Sequence, residues 1–186
     1  NFTIEDNIIV DSTQGIWIFN DGVGDVRNGL IKNNTINTQN QGIISNSDYT
    51  ALIHNLTIIN NTIITTEGNA AGNGLNLLDL SDSYVANNTI TTNSTAGSSA
   101  AGMFIYFNPN LQIFNNTLYS SIGIEVGGVS DRTTPYIFSH NKLYVTDYGI
   151  FSNNTYAEIY DNLIEGTCDH EQCDILYLAK VSKSGI

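Results

Sequence analysis

Asp79 with Asp82, and Glu125 with Asp131, are the carboxylate pairs close enough in the chain to share acid–base work. Glycoside hydrolysis needs two such groups across a groove. Proton abstraction beside a uronate carboxylate needs a base plus a cation or an Arg/Lys to hold the charge. The available cations, Arg27, Lys32, Arg132 and Lys142, are scattered, and no two fall at one aligned position of neighbouring repeats. Asp21, Asp25, Asp48, Asp79, Asp82 and Asp131 are acidic turn residues, and turns with free carbonyls are candidates for a structural calcium. No EF-hand pattern accompanies them, so no cofactor is expected beyond that ion. His54, His140 and His170 are far apart in register, which argues against a histidine metal site. Cys168 and Cys173 are the only cysteines, both within Cys168-Asp169-His170-Glu171-Gln172-Cys173. A short-loop disulfide is the leading reading in an oxidising compartment; zinc would need a second ligand cluster.

The elements that carry these residues follow from a repeat. Asn-Asn-Thr occurs at Asn33-Asn34-Thr35, Asn60-Asn61-Thr62, Asn87-Asn88-Thr89 and Asn115-Asn116-Thr117, with weaker copies around Asn7, Asn141 and Asn162. The second-Asn markers are Asn7, Asn34, Asn61, Asn88, Asn116, Asn141 and Asn162, spaced 27, 27, 27, 28, 25 and 21 residues apart. Three residues before each marker stands an apolar residue: Ile4, Ile31, Ile58, Val85, Ile113, Phe138 and Ile159. Two residues after it stands another: Ile9, Ile36, Ile63, Ile90, Leu118, Leu143 and Ile164. A second segment opens on Gly: Gly15-Ile16, Gly42-Ile43, Gly74-Leu75, Gly102-Met103, Gly123-Ile124 and Gly149-Ile150, with Asp174-Ile175 expected there in the last unit.

Alternation of period two and β-branched residues predict strands. No unit has room for an amphipathic helix. Short strands recurring every 21–28 residues predict an all-β, single-stranded parallel β-helix of about seven coils. Residues 1–186 read as one such domain, with a Cys-containing last coil or cap over about 165–186. Identical residues stacked in register let an Asn amide bond up and down the column, so the marker asparagines are expected to form an internal ladder. Longer Asn-to-Gly steps in units three and four predict loops that protrude side by side from neighbouring coils.

With Ile-x-x-Asn-x-Ile followed by Gly-Ile over nearly the whole chain, the sequence resembles the right-handed parallel β-helix superfamily of pectate-lyase-like proteins, and in particular its short NosD-like repeats. The resemblance implies the handedness. It implies little about function, because this fold hosts lyases, hydrolases, epimerases, tailspikes, adhesins and surface-layer proteins. The epimerase-type Asp-Pro-His is absent. So are the Asn-Thr-Asp, Asp-Asp, Gly-His-Gly and Arg-Ile-Lys signatures of polygalacturonase-like members. The copper in the NosD name lacks a histidine set here. Thr62, Thr65 and Thr66 near Thr89, Thr91 and Thr92 form too short an array to bind ice.

Composition narrows the partners. A net charge of −12 with six Lys and Arg rules against nucleic-acid backbone binding and against anionic membranes. No 18-residue apolar run predicts membrane insertion. Eight Asn-x-Ser/Thr sites, at Asn1, Asn33, Asn55, Asn60, Asn87, Asn93, Asn115 and Asn153, are candidate N-glycosylation positions. Four of them coincide with the structural repeat. Beyond the inward residue after each Gly, period two places Trp17, Ile44, Asn76, Phe104, Glu125, Phe151 and Leu176 outward, then Phe19, Asn46, Leu78, Tyr106, Gly127 and Asn153. An apolar outward column marks a contact face: for a covering segment, for another copy, or for sugar rings on Trp17, Phe104 and Tyr106. The first coil has no polar cap before it, so end-to-end stacking is a further expectation.

The expected function is therefore a secreted, extracellular or cell-surface, non-catalytic structural or adhesive protein. It is expected to be glycosylated and to associate with itself, as in a filament or surface layer, or with other surface proteins. The alternative is a polysaccharide-active enzyme or a tailspike-like glycan binder.

Overall fold

The computed structural model describes residues 1–22, 24–47, 52–66, 72–93, 100–128, 134–153, 155–166 and the backbone of 176–179. Every strand pairing among them is parallel. The first sheet stacks seven short strands, from Phe2–Glu5 and Gly29–Lys32 through Tyr84–Ala86 to Ala157–Tyr160. The second has 10 strands, among them Ile8–Asn20, Thr35–Ser47, Thr117–Gly127 and Lys142–Asn153. The third is short: Val26–Arg27, Ile53–His54 and Leu80–Ser81. The chain winds from sheet to sheet as a solenoid of about five turns. That is slightly fewer than the seven expected from the repeat units.

Registers show why the repeat has its residues. Ile4, Ile31, Ile58, Val85, Ile113, Phe138 and Ile159 pair one onto the next. Ile9, Ile36, Ile63, Ile90, Leu118, Leu143 and Ile164 do the same in the second sheet. These columns meet inside the tube, where Ile31, Ile36, Ile58, Ile63, Ile90, Ile113, Leu118, Phe138 and Leu143 are fully buried. At about 4.8 Å per rung, each apolar side chain packs on its own kind above and below.

The Gly before each second segment is there for space. A Cβ on Gly42 would run into Ile63 and the Gly74 carbonyl, and one on Gly74 into Ile90 and the Gly102 carbonyl. Neither lies among the positive-φ glycines, so close approach, not handedness, selects the residue. The last unit departs from the sequence expectation. Leu176, not Ile175, pairs with Ile150, so Tyr177, not Leu176, stands opposite Phe151. Two consecutive apolar residues left that register undecided in the sequence, and pairing to the preceding coil decides it.

Candidate functional site

The two asparagines of each repeat occupy different environments. Asn34, Asn61, Asn88, Asn116 and Asn141 are at most 1% exposed. Each Nδ2 donates to the Oδ1 of the next marker, from Asn7–Asn34 through Asn141–Asn162, at 2.9–3.0 Å. Nδ2 of Asn88 also donates to the Ile58 and Ala86 carbonyls, and the backbone N–H of Asn88 donates to Asn116 Oδ1. The amide thereby satisfies turn groups that would otherwise be buried unpaired.

The residue before each marker faces solvent and has a left-handed backbone. Asp6, Asn33, Asn60, Asn87, Asn115, His140 and Asp161 all have φ between 53° and 57°. Asn, Asp and His are the non-glycine residues that tolerate this region best. A second left-handed column runs through Asn28, Asn55, Asp82 and Asn110. Its side chains bond from rung to rung: Asn28 Nδ2 to Asn1 Oδ1, Asn55 Nδ2 to Asn28 Oδ1, and Asn110 Nδ2 to Asp82 Oδ1. All eight sequon asparagines, Asn1, Asn33, Asn55, Asn60, Asn87, Asn93, Asn115 and Asn153, are exposed. Asn33, Asn60, Asn87 and Asn115 stand on successive rungs about 4.8 Å apart, so a glycan on one crowds the next.

Among the described residues the carboxylates do not assemble into one site. Asp79 and Asp82 are both left-handed turn residues, and Asp82 is engaged by Asn110 at 2.8 Å. Glu125 lies in register between Phe104 and Phe151. Burial pushes its carboxyl above the usual range, because the charged form loses solvation. Asp131, its sequence partner, lies outside the described residues, as do Asp48, Arg132, His170, Cys168, Cys173 and the loop residues 67–71 and 94–99. Arg27 pairs with Asp25 at 2.6 Å and Lys32 with Glu5 at 2.7 Å. The Arg27 guanidinium holds the Asp25 carboxyl below its ordinary value. Among the described residues no three His, Cys, Asp or Glu gather as metal ligands.

The outward apolar column is in register as Trp17, Ile44, Asn76, Phe104, Glu125 and Phe151. Trp17 is 58% exposed and Phe19 52%, with ring centroids 5.7 Å apart. Tyr106 is exposed; Phe104, Glu125 and Phe151 are half-buried. Ile44 contradicts the expectation of a solvent-facing residue: it is only 5% exposed. It sits in register between Trp17 and Asn76.

A third surface went unrecognised in the sequence. On the outside of the first sheet, Tyr84 and Phe114 stack at 6.5 Å, Phe114 meets His140 edge-on at 5.3 Å, and His140 meets Tyr160 edge-on at 6.3 Å. Two clefts of about 280 and 220 Å³ adjoin along these rings and share Tyr84, Gln112 and Ile137. The signal was available. The positions four and two residues before each marker flank the inward one, so period two turns Tyr84, Gln112, Ile137, Phe114 and Tyr160 outward.

The family model for the right-handed beta helix region matches residues 1–164. No curated protein and no solved structure matches the chain. The chain belongs to the right-handed β-helix family.

Proposed function

We propose that this right-handed β-helix is an extracellular, non-catalytic structural or adhesive module, N-glycosylated and self-associating, of the kind that builds a filament or surface layer. The observation that carries the reading is the exposed aromatic pair Trp17 and Phe19 on the outer side of the strand Ile8–Asn20, with Ile8 78% and Val10 53% exposed on the same strand. Large apolar side chains grouped in water mark a contact surface, and a repetitive rod offers that surface in a fixed geometry. The carboxylate placement supports the non-catalytic half. Asp79 and Asp82 serve turn geometry, and Glu125 sits between aromatic neighbours in its column. The exposed sequons support glycosylation outside the tube.

Sedimentation across a wide concentration range tests the reading. The wild type should grow reversibly in mass, and W17S/F19S should remain a monomer with unchanged circular dichroism. A wild type that stays monodisperse at the highest concentration would sink self-association. Peptide mapping of material from a glycosylating host tests the sequons. Modification is expected first at Asn1, Asn93 and Asn153, the sites outside the two left-handed columns, and all eight sequons unmodified would remove the glycoprotein half.

A further inference from the structure

We infer that the outer face of the first sheet, over its fourth to seventh rungs, is a binding groove for a neutral oligosaccharide. This deepens the adhesive part of the reading above by naming the partner's chemistry, and it uses a different face from Trp17 and Phe19. Three observations carry it.

The first is shape. The two clefts flank the in-register column Tyr84, Gln112 and Ile137, which lines both, and each runs over successive rungs along the solenoid axis, suited to an extended chain rather than a compact ligand. The second is lining. Tyr84, Phe114, His140 and Tyr160 form a continuous run of rings through successive contacts. Rings offer flat apolar area to the C–H face of a sugar, and the Tyr hydroxyl keeps a polar handle. Between them Gln112 and Asn110 present exposed amides, each able to donate and accept toward sugar hydroxyls.

The third is charge, which selects among occupants. Asp82 lines the first cleft, Asp161 lies 3.8 Å from His140, and Glu158 stands exposed in register with Ile137. Among the described residues neither Lys nor Arg lines either cleft. A polyuronate or a nucleic acid would bring negative charge to an acidic rim with no Lys or Arg among its described lining residues. A second copy docking by this same face would set Asp82, Glu158 and Asp161 against their like. A neutral glycan brings hydroxyls and apolar faces without charge.

Saturation-transfer NMR and titration calorimetry test this with neutral hexasaccharides of glucose, mannose, galactose and xylose in both anomeric linkages. A galacturonate hexasaccharide serves as the acidic control. At least one neutral chain should bind, and the galacturonate should bind at least tenfold more weakly. Tyr84→Ala should weaken neutral binding about tenfold. Tyr160→Ala, at a site already 47% exposed, and Gln112→Ala test the groove with the fold left intact, and each should weaken binding severalfold. W17S/F19S should bind as the wild type does, which separates this inference from the self-association reading. The proposal is overturned by silence across the neutral panel, by equal binding of the galacturonate, or by Tyr160→Ala and Gln112→Ala both binding normally. It is equally overturned if these variants change sedimentation instead, because the face would then be a contact between copies.

Discussion

Asn60 and Asn61 are adjacent residues of one type, yet their surroundings differ in almost every respect. Asn61 is 1% exposed, with its Nδ2 bonded to the Ile31 and Ile59 carbonyls and to Asn88 Oδ1. Asn60 is exposed at φ 56°. The inner asparagine is selected by hydrogen-bond chemistry: a buried turn needs both a donor and an acceptor at one point. The outer one shares a left-handed backbone at every rung, which Asn, Asp and His tolerate, while its exposed side chains bond along the column at some rungs, Asn33 Nδ2 to Asp6 Oδ1 and Asn115 Nδ2 to Asn87 Oδ1. Substitutions across the coils follow this division. In the outer column Asp6, His140 and Asp161 replace Asn, whereas the inner column is Asn at all seven rungs. A motif that reads as one repeated unit is thus two independent solutions to two problems of the same turn.

The largest expected effect tests the inner half of that comparison. Asn88→Ala removes three donated bonds, to Ile58, Ala86 and Asn116, and the two that Asn88 Oδ1 accepts from Asn61. With buried groups left unpaired at roughly 1–3 kcal/mol each, a loss of about 3–5 kcal/mol is expected. It should appear in urea unfolding and as faster hydrogen exchange on the rungs either side. The neighbouring Asn87→Ala should cost far less. Equal losses at Asn87 and Asn88 would erase the distinction between the columns.

Gly74→Ala sharpens the comparison from another side. Both the Gly corner and the outer Asn column are positions where glycine-like residues recur, but Gly74 lacks the positive φ and is closed by Ile90 and the Gly102 carbonyl. A methyl there overpacks the corner, with an expected cost of about 1–3 kcal/mol, measured by the same unfolding curves.

The inside of the rod was legible in the sequence because stacking forces like residues into line. Ile31, Ile58 and Val85, one repeat apart, could be read as a column before any register was known. The outside obeys no such rule. Tyr84 is in register with Gln112, so the contact from Tyr84 to Phe114 runs diagonally between rungs, and reading straight columns misses it. Ile44 was expected to face solvent and is buried, because alternation assigns a side chain to a face and does not say whether that face is covered. The left-handed backbone of Asn33 and its relatives was hidden because the same letters spelled a sequon. For the last coil, Ile175 and Leu176 are equally apolar, and only pairing with Ile150 chooses between them.

A smaller effect is expected in the outer column. Asn60→Ala places a Cβ-bearing residue without a local hydrogen bond in the left-handed region, at a cost of about 1 kcal/mol. Asn60→Gly relieves that strain and should match the wild type within a few tenths of a kcal/mol. A loss in Asn60→Gly as large as that in Asn60→Ala would show that the exposed amide matters more than φ, as the bonds Asn33–Asp6 and Asn115–Asn87 do at their own rungs.

The smallest effect belongs to Glu125, which faces outward like Asn60 but is half-buried between Phe104 and Phe151 in its column. Burial raises its carboxyl above the ordinary value. Between the ordinary and the raised value the folded chain therefore holds more protons than the unfolded chain. Stability contributed by the protonated form is complete below the ordinary value, near pH 4.3. It falls as pH rises through that window and stays lowered above it. Glu125→Gln keeps the shape and never ionises. Its stability relative to the wild type should be flat at low pH, rise through the window and level off near neutrality. The plateau should be small, because solvent still reaches the group. A difference independent of pH would mean that Glu125 is solvated like an outer-column residue. Exposure on this rod would then be set by the direction of a side chain alone, and not also by the rungs that flank it.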